Sequence, residues 1–349
     1  MKPGAGALRG IRHPWTAPPG PGAAVEVAEG VLWTRLPLPM ALDHVNVYAL
    51  DEGDGWTLVD TGMDWPRGRE GLAALKAGPL GGRPVRRVIL THHHPDHIGL
   101  AAPLAAEGAE LVATRIAWLT GRMLTLDRQE RPTPEQVAFR RCAGVTGAAL
   151  DAYAAERPFN FADCVAPLAL GFRGIDEGAT VLAAGRDWRA RLGEGHAPAH
   201  LTLWSGDGLL LAGDQILPGI SPNIGVYPTE PEADPLTGWL ESCRRFLGPA
   251  EESDPLVLPG HGLPVRGAAF RLGQLIENHE SALARIFEAV AREALTAVGI
   301  FPALYRREIG QGEFGLALVE AVAHLNHLHR SGLVTREADR DGCRRYRAA

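Results

Sequence analysis

Within Thr91-His92-His93-His94-Pro95-Asp96-His97, four side chains able to ligate a metal stand in six positions: His92, His94, Asp96 and His97. His92 and His94 are two apart at the end of a strand-like run, so their side chains project to one side. Pro95 suits the first turn of a helix, from which Asp96 and His97 leave in a second direction. One short segment can therefore address two adjacent metal ions. The chemistry such ions bring is hydrolytic: they lower the pKa of a bound water to about 7 and polarise a carbonyl or phosphoryl oxygen.

Three further donors recur in matching contexts. His196 lies in Gly195-His196-Ala197-Pro198-Ala199-His200, just after a strand-like run. Asp214 ends an apolar run, and His261 lies in Pro259-Gly260-His261-Gly262, again at a strand end. A lone buried histidine is more often a hydrogen-bonded core residue than a ligand. The cluster is different, because composition alone gives HxHxDH in a chain this long on the order of one time in a thousand.

These donors need a frame that delivers them to one place. Strand-like runs at 25–27, 31–36, 45–49 and 56–59 are separated by turn signals, which predicts an antiparallel meander. Residues 66–77 read as a helix, and 85–90 as a short buried strand running into the histidine motif. More strands are predicted at 111–113, 180–182, 188–192, 201–204, 209–211 and 256–258, with Ser205-Gly206-Asp207-Gly208 as a hairpin turn. Each later donor lies just beyond one of these strands, which is how a rigid scaffold presents a site at a sheet edge. Residues 115–165 are helical in pattern, too long for a connection, and read as an insertion. Beyond about residue 270 come helical stretches at 271–296, 303–308 and 315–331 and two short strands at 333–337 and 343–346. Three helices and a β-ribbon make a winged-helix pattern. The expected division is a Pro- and Gly-rich extended arm over 1–24, a main domain over 25–270 and a C-terminal domain over 271–349.

With its donors in this order, the sequence resembles the metallo-β-lactamase superfamily over roughly residues 25–265, its metal motifs being similar to those of glyoxalase II. The family's HxHxDH falls on His92, His94, Asp96 and His97, its later ligands on His196, Asp214 and His261, and its early aspartate on Asp60 in Leu58-Val59-Asp60-Thr61-Gly62. Two departures remove no ligand: Leu100 and Ala199 stand where glycine is common. The resemblance implies an α/β fold, an αββα sandwich with the metals at one edge. It implies one ion on His92, His94 and His196, another on Asp96, His97 and His261, and Asp214 between them. Asp60 and His200 would orient ligands, and His93 would be a bystander. Mixed imidazole and carboxylate donors suit two Zn²⁺ ions best, with Fe²⁺ and Mn²⁺ also compatible. The implied reaction is attack by a metal-bridging hydroxide, with Asp96 and Asp214 as the catalytic carboxylates that orient it.

Composition sets outer bounds. The chain has 349 residues, 46% hydrophobic and 22% charged, with a net charge of −6. That is ordinary for a globular protein of one large or two domains, and it excludes disorder, collagen-like repeats and a disulfide-stapled miniprotein. The charge argues against a protein that binds nucleic acid over its whole surface. Cys142, Cys164, Cys243 and Cys343 form no CxxC pair, which fits a reducing compartment. No signal-like h-region or membrane span is read, so a cytoplasmic protein is expected. No GxSxG elbow or Walker A loop offers a rival chemistry. An oxygen-reducing di-iron site is ranked low, because no flavin-binding segment follows.

The substrate is read from what surrounds the donors. The insertion offers Trp118, Met123, Phe139, Tyr153, Phe159 and Phe161 and is expected to cap the metal edge, some of these residues lining a pocket and others forming its own core. The apolar segment 214–227 is expected to form a pocket wall. Both favour a small molecule with an apolar part: an ester, thioester or lactone. The alternative is a metal-dependent endoribonuclease whose winged helix binds RNA through Arg340, Arg344, Arg345 and Arg347. Residues 281–349 hold ten Arg against eight Asp plus Glu, and helix 315–331 has Arg330 as its only Arg or Lys. A packing, capping or homodimerisation role for that region is therefore preferred to a nucleic-acid role. His324, His327 and His329 are expected on a packed or solvated face.

Overall fold

The computed structural model describes residues 10–349; the first nine residues of the expected arm lie outside the described residues. Strands β1 (Ala24–Ala28), β2 (Val31–Pro37), β3 (His44–Asp51) and β4 (Trp56–Val59) form an antiparallel meander. Helix α1 (Pro66–Ala77) leads to β5 (Val85–Ile89), which lies parallel to β4. Short helices α2 (Pro95–Ile98) and α3 (Ala101–Ala106) lead to β6 (Glu110–Ala113). With β7 (Arg173–Gly174) these make a seven-stranded sheet in sequential order. A second sheet holds β8 (Thr180–Ala183), β9 (Arg186–Gly193), β10 (His200–Ser205), β11 (Leu209–Gly213) and β12 (Leu256–Pro259), in the order β12-β11-β10-β9-β8.

The strand sequences explain the layering. In β3, Tyr48 and Leu50 join the core between the sheets, whereas Val45, Val47 and Ala49 face the opposite way, into the core under α1 and α3. In β11, Leu209 and Leu211 turn to the inter-sheet core and Leu210 and Ala212 to the outer one. A strand buried on both faces reads as a continuous apolar run, and period-two alternation then splits its residues between two layers. Helices cover both outer faces, giving the αββα sandwich.

The second sheet is covered by a helix the sequence reading passed over, α7 (Pro235–Ser253). Its start was legible: Asp234 caps it by accepting from the Thr237 amide, and Pro235 occupies the first turn. Leu236, Trp239, Leu240, Cys243 and Phe246 form its buried stripe.

The C-terminal elements follow the predicted order: α8 (Ala268–Arg292), α9 (Phe301–Tyr305), α10 (Phe314–Arg330), then the antiparallel pair β13 (Val334–Ala338) and β14 (Arg344–Ala348). Helix α8 serves two cores. Ala268, Leu272 and Leu275 pack with α7, while Ala282, Ile286 and Val290 pack with α10. The insertion is likewise divided. Trp118 of α4 (Arg115–Leu126) joins the core of the first sheet. Helices α5 (Pro134–Cys142) and α6 (Gly147–Ala155) instead place Ala143, Val145 and Leu150 against the C-terminal helices, with Phe139 beside them. The α5–α6 half is thus a bracket to the C-terminal region, because its apolar residues find partners there. In the arm, the backbones of Arg12 and Arg266 pair and Trp15 packs edge-on to Trp33. All four cysteines are free. No helix among the described residues is long and apolar enough to cross a membrane.

Helices α8 and α10 meet at a buried histidine pair, His279 Nδ1 and His324 Nε2 lying 3.2 Å apart. His324 Nδ1 donates to the Glu320 carbonyl at 2.8 Å, so His324 Nε2 is free to accept from His279. Burial lowers His279 to about 3 and His324 to about 4. Both rings are held neutral, whereas an unfolded histidine takes its proton near 6.5. Their contribution is complete above that pH and is lost as pH falls toward the folded values, at about 1.4 kcal/mol per pH unit per proton. His324→Gln should flatten the acid limb of urea-measured stability between pH 6.5 and 4; an unchanged slope would show that the pair does not govern it.

Candidate metal centre

The ends of β4, β5, β9, β11 and β12 reach one edge of the sandwich, and every candidate donor sits just past one of them. Asp60 follows β4 in a left-handed conformation, φ 64°. His92 and His94 follow β5, and His94 precedes α2, which carries Asp96 and His97. His196 follows β9, Asp214 follows β11 and His261 follows β12. Glycine is required where the last two loops touch: a Cβ on Gly260 would stand 2.1 Å from Asp214 Oδ1.

The structure brings all seven predicted donors together. Ligating atoms of His92, His94 and His196 lie within 4.8 Å of one another, as do those of Asp96, His97 and His261. Asp214 lies between the two triads: its Oδ2 is 3.5 Å from His196 Nε2 and 3.3 Å from His261 Nε2, and its Oδ1 is 3.5 Å from His97 Nε2. Asp96 Oδ2 lies 3.3 Å from His261 Nε2.

The outer nitrogens explain why the inner ones face the centre. His97 Nδ1 bonds Asp60 Oδ2 at 2.8 Å, His196 Nδ1 bonds the Asn223 carbonyl at 2.9 Å and His261 Nδ1 bonds the His44 carbonyl at 2.7 Å. A proton committed outward makes Nε2 the nitrogen that faces the centre. Asp60 also accepts from the amide and hydroxyl of Thr91, fixing the start of the histidine motif. His200 stacks on His92 at 4.6 Å and accepts from the Asp214 amide at 3.1 Å. His93 joins neither triad; its ring stacks on Phe161 at 6.3 Å.

The two positions that depart from family habit are accommodated. Ala199 adopts φ 49°, the left-handed region where glycine is unstrained. Leu100 fills the core of the first sheet. Sequence reasoning missed Asn223, His44 and Asn46. Asn46 Nδ2 donates to the carbonyls of Pro259 and Gly262, holding the His261 loop. A polar residue inside the apolar run Val45–Ala49 was its signal; the carbonyls of Asn223 and His44 that meet His196 and His261 left none, although the His44 ring also accepts from the Gly262 amide at 3.0 Å. The expected pocket wall is also corrected. Ile216, Leu217, Ile224 and Val226 are core residues, and only Ile220 and Tyr227 of the apolar side chains there are exposed.

Charge at the site is finely divided. Burial, with His97 and other imidazoles nearby, keeps His92 well below its usual value, and burial with His196 and His93 does the same to His94. These rings are neutral and carry free lone pairs. Burial works against charge on His97 and His261, yet Asp96 and Asp214 hold His97 well above its usual range and raise His261 to about 10. Burial would raise Asp214, but His261 and His97 pull it well below the carboxylate range. The inner nitrogens of His92, His97 and His196 and the Oδ1 of Asp214 are buried without a hydrogen-bond partner. Unpartnered buried polar atoms of this kind, all aimed at one volume, fit divalent cations, which would replace the proton on His97.

Comparison with known proteins agrees. The description of the metallo-beta-lactamase superfamily matches residues 40–261. The chain belongs to this superfamily. The superfamily's companion C-terminal domain, described as metallo-beta-lactamase-like, matches residues 283–349. The chain is similar to the probable metallo-hydrolase YqjP of Bacillus subtilis (strain 168), 28% identical over 88% of this chain and 94% of that one. Among solved structures it is similar to a beta-lactamase domain protein from Burkholderia ambifaria, 37% identical, with TM-score 0.89 over 97% of this chain and 98% of that one. A metallo-beta-lactamase family protein from Thermus thermophilus is 25% identical, with TM-score 0.75 over 93% of this chain and all of that one. The superfamily chain is accordingly a metallo-hydrolase.

In the metal-free protein, protons on His97 and His261 stand where cations would sit. Metal uptake near pH 7 should therefore release about two protons per chain, and affinity should rise with pH toward 10. Calorimetric titration of Zn²⁺ in buffers of different ionisation enthalpy measures this; uptake without proton release would contradict the assignment.

Proposed function

We propose that this metallo-hydrolase cleaves an ester, thioester or lactone of a small molecule. Two divalent ions, Zn²⁺ best suited to the mixed donors, would be held by His92, His94 and His196 and by Asp96, His97 and His261, with Asp214 between. When bound, such ions supply a water acidic enough to ionise at neutral pH and a Lewis acid for the substrate oxygen. The chain's own residues do the rest. The Asp96 and Asp214 carboxylates accept hydrogen bonds from the attacking water and fix its direction. Asp60, Asn223 and His44 keep protons on the outer nitrogens of His97, His196 and His261, so these three rings do not turn away. Burial of the cluster limits competing water.

The observation that carries the small-molecule reading is how the C-terminal arginines are spent. Arg344 and Arg336 both pair with Glu232, at 2.7 and 2.6 Å, and Arg345 pairs with Asp339 at 2.8 Å. Helix α10 is buried along Ala317–Leu318 and Ala321–Asn326, and His324, His327 and His329 bond within the protein. An RNA-binding arm needs cations free to meet phosphate. Apolar substrate is favoured by Phe159, 67% exposed, which packs edge-on to Phe161 beside His93.

A panel of short acyl thioesters, lactones, a β-lactam, phosphodiesters and single-stranded RNA, run on metal-loaded protein, tests this reading. Thioester or lactone should turn over fastest, and Asp96→Ala should fall to background while remaining folded. Faster β-lactam hydrolysis would refute the ranking. RNA cleavage, with affinity falling steeply in salt and dependent on Arg340 and Arg347, would replace it with the nuclease.

A further inference from the structure

The loop that follows Asp214 is clasped by the C-terminal helices. From α8, Arg271 donates to the carbonyls of Leu217 at 2.7 Å and Ile220 at 2.8 Å. Ser221 Oγ lies 3.4 Å from His279 Nε2, and that ring leans on His324. At Asn223 the clasp reaches α10: its Nδ2 donates to the Leu316 carbonyl at 3.1 Å and to Glu320 Oε2 at 3.3 Å. Glu320 Oε2 also accepts from the Tyr305 hydroxyl at 3.1 Å. Just beyond, the Val226 amide donates to the Val319 carbonyl at 3.1 Å.

The other end of Asn223 faces the metal edge, where its carbonyl takes the proton of His196 Nδ1 at 2.9 Å. One residue thus joins helix α10 to a candidate ligand. The direction of a backbone carbonyl follows the torsions of its residue, and those are limited when the side chain is pinned. Two other imidazoles of the triads, His97 and His261, are held from within the sandwich, His97 by Asp60 and His261 by the His44 carbonyl.

We propose that Asn223 and Glu320 are positioning residues: through them the C-terminal helices set the orientation and protonated nitrogen of His196, and so complete one of the two metal positions. This inference rests on the metal-centre reading above. It gives the C-terminal region a role in hydrolysis that needs no contact with substrate. It also predicts asymmetry, because His196 belongs to only one triad. Glutamine in place of Glu320 keeps an oxygen that can accept from both Tyr305 and Asn223, whereas alanine keeps none.

The test is Zn²⁺ titration of the full chain against a chromophoric chelator, with thermal unfolding as a check on the fold. Wild type should bind two equivalents. Asn223→Ala and Glu320→Ala should bind one of them about 10–100-fold more weakly and leave the other unchanged, and Glu320→Gln should restore wild-type binding. If Glu320→Ala fails to fold, Asn223→Ala decides, since it leaves α10 intact. Two unchanged equivalents in Asn223→Ala would overturn the proposal alone, as would equal weakening of both, or a Glu320→Gln as weak as Glu320→Ala. A wild type that binds no metal would overturn this proposal together with the metal-centre reading.

Discussion

Asp214 sets the terms for the rest of the molecule. Its two oxygens stand within 3.5 Å of imidazoles from both triads, inside a volume that excludes most water. A buried donor or acceptor without a partner costs about 1–3 kcal/mol, and several such groups point at one place here. Left to themselves, the rings would rotate toward any available carbonyl and the carboxylates would take up protons. Such a site needs rings held from behind, as His97, His196 and His261 are, and surrounding cores that supply stability the cluster does not.

The double sandwich meets both needs. Strands β3, β4, β11 and β12 are buried on both faces, so their ends are fixed in position by apolar packing on either side. Backbone strain collects where they stop. Asp60 and Ala199 hold left-handed torsions at the metal edge, a conformation costing a non-glycine residue roughly 1–2 kcal/mol. Asp60 is kept there by three separate partners: the Thr91 amide, the Thr91 hydroxyl and His97. The strain is therefore part of how the His97 ring is aimed.

The same physics decides what the sequence discloses. The donors of the histidine motif are legible because strand-end alternation and a proline-led helix turn specify where each side chain goes. Helix α7 was equally legible, and its Asp234-Pro235 start with apolar residues at 236, 239, 240, 243 and 246 needed only to be read. The clasp at Asn223 and the brace at His44 are of another kind. They meet the ligands through carbonyl oxygens, which every residue carries, and the side chains that brace them, Asn223 Nδ2 on α10 and the His44 ring on the Gly262 amide, find partners far away in the chain that local pattern does not encode. The aromatic residues of 115–165 fall between these cases. Their burial is predictable, but whether Phe139 faces the C-terminal helices or Trp118 the first sheet depends on tertiary placement that local pattern does not encode.

Arginine usage in the C-terminal region makes a related point about function. Counting charges gives a slightly basic segment, and a basic ribbon invites a nucleic-acid reading. Placed in three dimensions, Arg336 and Arg344 converge on Glu232, in the segment that leads into α7, and Arg345 turns back on Asp339 in its own turn. Asn326 donates to the carbonyls of Pro231 and Ala233 in the same segment, and His327 reaches Asp234, the cap of α7. Charge, amide and imidazole thus converge on four consecutive residues, 231–234, from one helix and one ribbon. Contacts of such mixed chemistry on so short a segment fix the C-terminal helices in register against the sandwich. The same helix, α10, carries the Leu316 and Glu320 groups that Asn223 meets, so the ribbon's cations and the Asn223 contact bear on one element.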